Sequence, residues 1–155
     1  MTDYNKIEIV KQIITEVLGV AGVHAQVEFE DSITKGLVFN ISTPDSYLLI
    51  GKQGQTLHSL QVLVQALVAK KFQNEPFYFS LDVDDYKRKR EWFIKETAKG
   101  AVEQVKKTGR PVALEAMPSY ERRLVHAYLQ EHNPEMESSS IGEEPYRKIV
   151  IKIKK

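Results

Sequence analysis

The sequence predicts an α+β protein built as two small α/β modules, residues 1–84 and 85–155. Three observations carry that reading. Helical and alternating apolar periodicities succeed one another in both parts, a glycine loop interrupts two helical segments in the first, and charge changes sign near Asp84. Residues 1–84 hold 6 Lys and no Arg against 10 acids, whereas residues 85–155 hold 16 Lys and Arg against 11. A surface for polyanions is therefore expected on the carboxy-terminal half, the plainer alternative being two domains of different surface composition.

The elements follow in order. In "DYNKIEIVKQIITEVLGV", Ile7, Val10, Ile13 or Ile14, Val17 and Leu18 recur at helical spacing, and Gly19 is placed to stop the helix. "VHAQVEFE" alternates, which makes a half-buried strand with Val23, Ala25, Val27 and Phe29 inward. After a turn, "LVFNIS" gives a second strand on Leu37, Phe39 and Ile41. A short helix from Pro44–Asp45 reaches Ile50, a longer one runs from Gln55 to Lys71, and "PFYFSLDVDD" is a strand burying Phe77, Phe79, Leu81 and Val83.

Asp84 or Asp85 is placed to cap the next helix, whose stripe is Tyr86, Phe93 or Ile94, Ala98, Ala101, Val102 and Val105. Lys106, Lys107, Gly109 and Pro111 mark its end. "VALEAM" reads as a short strand, and Pro118 suits the first turn of a helix over Ser119 to His132. The polar connection that follows has room for a strand, and "RKIVIKIKK" ends the chain with Ile149, Ile151 and Ile153 on one face.

Composition excludes several classes. Cysteine is absent, so no disulfide or thiolate site forms, which suits a reducing cytoplasm. No apolar run approaches the ~20 residues that span a bilayer, and "MTDYNKIEIV" lacks a signal-peptide pattern. His24, His58, His126 and His132 contain no i, i+4 pair, and the P-loop spacing is missing, so no metal, cofactor or enzymatic activity is expected.

Three stretches carry chemistry. In "LIGKQGQTL", Gly51 and Gly54 tolerate positive φ and let a foreign backbone approach, while the helix that starts there offers amides and a positive dipole end. Lys52 adds a cation and Gln53 a neutral donor and acceptor; a plain structural turn is the competing reading. "YKRKREW" places Lys87, Arg88, Lys89 and Arg90 in the first turns of a helix, where they oppose the macrodipole and either form a solvated face or meet phosphates. In "SYERRLVHAYLQEHN", Leu124, Val125, Tyr128 and Leu129 form the buried stripe. Ser119, Arg122, His126, Gln130 and Asn133 are expected on the opposite side, with Arg122 and His126 together gripping one anion.

The apolar pair, G-x-x-G and Leu57, with two strands before and one after, resemble the KH domain in its prokaryotic-type (type II) arrangement. That resemblance implies that Gly51, Lys52, Gln53 and Gly54 hold the backbone of about four single-stranded nucleotides, with bases along an apolar groove beside a strand edge. The R-x-x-x-H spacing of Arg122 and His126, with Glu121, Arg123, Gly142, Glu144, Pro145 and Arg147, resembles the R-three-H domain, which binds single-stranded nucleic acid through its Arg–His face. The tandem resembles the bacterial Jag family, also called KhpB or EloR. Many members carry a further amino-terminal domain on a long linker, whereas this sequence opens on the first KH helix. The resemblance implies a cytoplasmic, non-enzymatic binder of single-stranded RNA, acting as a post-transcriptional regulator or RNA chaperone linked to cell elongation and division. The alternatives are an assembly adaptor, pairing with itself or another KH protein, and a binder of single-stranded DNA. Arg122, Arg123, His126, Arg147 and the Lys87–Arg90 run are the expected phosphate contacts of the second module.

Overall fold

The computed structural model describes residues 3–155. The chain divides into two compact units, Met1–Lys87 and Arg88–Lys155.

The first unit begins with α1 (Asp3–Val20), continues through β1 (Gln26–Ser32), β2 (Gly36–Ser42) and α2 (Ser46–Ile50), and passes one 3-10 turn (Lys52–Gly54) into α3 (Gln55–Lys71) and β3 (Ser80–Val83). Its sheet has the order β1-β2-β3, antiparallel between β1 and β2 and parallel between β2 and β3. The parallel pair is possible because α2 and α3 provide the crossover. Val10, Ile14 and Leu18 of α1 and Leu57, Val64 and Val68 of α3 pack on Val27, Phe39, Ile41, Leu81 and Val83. Phe39 meets Phe79 edge-on at 5.6 Å.

Four local readings change. The first helix passes over Gly19 to Val20, and the glycine needed for positive φ is Gly22, after which the Val23 amide donates to the Leu18 carbonyl at 2.9 Å. Lys6 joins the buried stripe of α1 because its ammonium pairs with Glu75 at 2.5 Å and lies over the Phe72 ring. Phe29 stays 41% exposed on edge strand β1, its ring tilted against that of Phe39 at 6.4 Å. Strand β3 has only four residues, and Phe77 packs from the loop before it.

The second unit contains most of α4 (Tyr86–Thr108), then β4 (Val112–Ala113), α5 (Ser119–His132), β5 (Met136–Ile141) and β6 (Lys148–Ile153). The sheet order is β4-β6-β5, all antiparallel. Ile94, Ala98, Ala101, Val102 and Val105 of α4 meet Val125 and Leu129 of α5 over Ile149 and Ile151. Ile94 rather than Phe93 takes the core position, and Phe93 is 52% exposed. Ile153, the last residue of β6, is also exposed. The polar connection forms β5 in full because all six of its residues find partners on the Ile-rich β6, and pairing overrides the weak strand propensity of its serines. Pro118 sits at the cap of α5 rather than inside its first turn. At the start of α4, the Asp82 carboxylate accepts from the Lys87 N–H at 3.2 Å.

Candidate nucleic-acid interface

In the first unit, the loop between α2 and α3 is fixed by conformation. Gly51 has φ 69° and ψ −171°, Gln53 φ 52° and Gly54 φ 78°. The Gly51 values lie in a region open essentially to glycine alone. A Cβ on Gly51 would stand 2.1 Å from Thr56 Oγ1, and one on Gly54 would stand 2.8 Å from the Tyr86 ring. Both glycines are thus required by the fold, whatever else the loop does. No side chain caps α3, so its amino end is available for an acceptor from outside. Lys52 is exposed, and its ammonium makes no hydrogen bond or ion pair among the described residues. Gln53 is partly buried and already engaged within the protein.

Side chains of α3 reach the outer edge of β3. Gln61 Oε1 accepts from the Leu81 amide at 3.1 Å, and the Gln65 carboxamide donates to the Phe79 carbonyl at 3.3 Å. These residues lie one turn apart on α3, so the two carboxamides cover the outer edge of β3. Lys87 Nζ, 3.3 Å from Gln61 Oε1, joins them. Partial burial pushes the Lys87 ammonium down from its ordinary pKa, and Asp82 pushes it back up.

Of the cationic run, Arg88 and Lys89 are exposed, and each has an interaction within the protein. Arg90 is committed inside the second unit: Nε and Nη2 donate to the two carboxylate oxygens of Glu121 at 2.7 and 2.9 Å, and the guanidinium lies over Phe93. Glu121 is 3% exposed, which makes this a desolvated bidentate pair. The run is therefore not four equivalent phosphate contacts.

Helix α5 corrects the sequence expectation most sharply. Arg122 is 7% exposed, not on the open face. Its Nη1 donates to the Met117 carbonyl at 2.6 Å and its Nη2 pairs with Glu144. The reason is angular: Arg122 precedes Leu129 by seven residues, which returns within about 20° on a 3.6-residue helix, so it flanks the core stripe rather than opposing it. His126, one turn further, is half-buried with Nδ1 2.6 Å from Ser138 Oγ. Burial first, and the Arg122 charge second, hold its pKa below the ordinary value. Both effects favour the neutral imidazole, which keeps one N–H donor. Arg147 staples the β5–β6 connection, donating to Ser140 Oγ at 2.8 Å and to the Gly142 carbonyl at 3.1 Å. Arg123 is exposed, and its side chain has no polar partner among the described residues.

The structure therefore keeps Arg122 and His126 side by side and leaves Lys52 and Arg123 outward. It engages Arg90, Arg122 and Arg147 in contacts of their own. Sequence reasoning gave no role to Glu144, Ser138, Ser140, Gln61 or Gln65. The seven-residue interval to Leu129 was the available signal for Arg122; none marked the glutamines.

This architecture defines a tandem of a KH domain and an R-three-H domain. Residues 7–79 match the family described as KhpA/KhpB, KH domain, and residues 93–152 match the family of the R-three-H domain. The chain thus joins a KH domain of the KhpA/KhpB family to an R-three-H domain. It is 39% identical over 133 residues to the RNA-binding protein KhpB of Clostridium symbiosum, covering 86% of this chain and 59% of that one. It is 38% identical over 116 residues to the protein of the same name from Lactiplantibacillus plantarum, covering 75% of this chain and 35% of that one. The Bacillus subtilis protein of that name is 34% identical over 122 residues, covering 78% and 58%. The chain thus spans 35–59% of the length of these relatives.

Proposed function

We propose that the chain binds single-stranded RNA without catalysis, each unit supplying its own backbone contacts. The observation that carries this is one cationic side chain without a partner among the described residues beside each signature: Lys52 at the G-x-x-G turn and Arg123 on α5 next to the Arg–His pair. In the first unit, Gly51, Lys52, Gln53, Gly54 and the start of α3 receive phosphate, with Lys87 nearby. In the second, Arg88, Lys89, Arg123 and His126 face the strand, while Arg90 and Arg147 hold the scaffold. Exposed Trp92, Tyr120 and Tyr146 offer faces on which unpaired bases stack. The names of the relatives support RNA as the ligand, and a cytoplasmic regulator or RNA chaperone linked to cell elongation and division is the role that follows.

The test is fluorescence anisotropy with single-stranded RNA, the same sequence as DNA, and a duplex. Lys52→Ala and Arg123→Ala should each weaken RNA binding and flatten the slope of log K against log salt by ~0.7. Full affinity and an unchanged slope in the double variant contradict the reading, and stronger DNA binding redirects it to single-stranded DNA.

A second reading rests on α3. Val62, Leu63, Ala66 and Leu67 form an exposed, uncharged stripe opposite the buried face of Leu57, Val64 and Val68. A helical face of that kind suits a KH domain of a second copy or of a partner protein. Leu63→Glu should reduce the mass seen by light scattering if this is so, and a wild-type monomer at high concentration removes the homodimer.

A further inference from the structure

We propose that the Glu144 carboxylate is an internal stand-in for phosphate at Arg122, holding the outward end of the guanidinium until a strand's phosphate displaces it. This rests on the reading of α5 as a nucleic-acid face.

Arg122 is divided between two acceptors of different kinds. Nη1 is tied to the Met117 carbonyl within the fold, while Nη2 meets the carboxylate of Glu144. The Arg122 side chain is 9% exposed but that of Glu144 is 57% exposed, so the contact lies where the guanidinium reaches the surface. A phosphate oxygen presents the same anionic acceptor to an N–H as a carboxylate does, and a carboxylate bathed in water is held weakly. Exchange needs no unfolding of the loop. The Tyr146 amide closes on the Glu143 carbonyl at 2.8 Å and Arg147 grips the Gly142 carbonyl, so only the Glu144 side chain must swing aside. Released, Glu144 becomes a negative group beside the bound strand, which makes it a brake on affinity.

The experiment compares Glu144→Gln with Glu143→Gln, its exposed neighbour of equal charge, in the full chain against one single-stranded RNA. Glu144→Gln should tighten binding by roughly two- to fivefold more than Glu143→Gln, the fold-change expected where the carboxylate of the pair is exposed to water. That surplus should vanish when Arg122→Gln is present in both members of the comparison. Equal gains from the two glutamates, or a surplus that survives without Arg122, overturn the proposal. A second measurement does not depend on RNA: titration of inorganic phosphate followed by the Arg122 side-chain 15N signals. Glu144→Gln should respond at lower phosphate than the wild type. Absence of any response in both proteins refutes the stand-in even where RNA binds. A phosphate response without RNA binding sinks the RNA reading alone.

Discussion

Substitution of Gly51 by alanine separates what the loop needs for folding from what it offers to a ligand. At φ 69° and ψ −171° a residue with a Cβ is strained by about 1–3 kcal/mol. The added methyl would also lie 2.1 Å from Thr56 Oγ1 and 3.1 Å from the Thr56 amide nitrogen. Rotation of the threonine relieves the first contact but not the second, so the backbone must shift, and the combined cost is about 2–4 kcal/mol. Gly19 is the control within the same unit: it lies within α1 with nothing inside 4 Å of a built Cβ. There the same change should stabilise by about 0.5–1 kcal/mol. Thermal unfolding read by NMR at core residues Phe39 and Ile41 should show Gly51→Ala melting roughly 10–30 °C below wild type, at the sensitivity of a domain this size. Gly19→Ala should melt a few degrees above it. A Gly51→Ala unit within about 0.5 kcal/mol of wild type refutes the argument, because the loop would then relax without strain.

Three further outcomes are expected. Glu121→Ala leaves Arg90 without its bidentate partner in a largely desolvated site and should destabilise the second unit by about 3 kcal/mol, checked by urea unfolding followed at Trp92. His126 has a folded pKa below its unfolded value, so the unfolded chain takes up the proton first as pH falls. Its contribution is present above about pH 6.5 and is lost as pH falls through the folded pKa, and His126→Gln should flatten the decline in urea midpoint between about pH 7.5 and 5.5. Replacing Gln61 and Gln65 by alanine uncovers the Leu81 amide and the Phe79 carbonyl. Discrimination among homopolymeric RNAs should then rise above that of wild type; an unchanged preference means that the β3 edge does not face bases.

Much of the fold was legible because periodicity and packing agree. Val10, Ile14 and Leu18 read as a helical stripe and are one, and α3 runs from Gln55 to Lys71 as its punctuation by Gly54 implies. Gly19 misled because glycine is permissive: its presence allows a stop without enforcing one, and Gly22 supplied the positive φ. At the site, the glycine turn could be read from local chemistry, since its conformation is set by adjacent residues. Arg122 could not be read as fully, because its partners Met117 and Glu144 come from outside the helix. The edge cover by Gln61 and Gln65 was hidden for the same reason, being a pairing across 20 and 14 residues. Side-chain to backbone bonds of that range leave no periodic trace.

The most direct measurement is a titration of the 15N-labelled chain with a short single-stranded RNA, followed at every backbone amide. The account predicts that the amides of Lys52 to Thr56 and those around Arg123 and His126 move together with added RNA, and that salt reverses the shifts. Shifts confined to the Val62–Leu67 stripe of α3, with the glycine turn and α5 silent, contradict it.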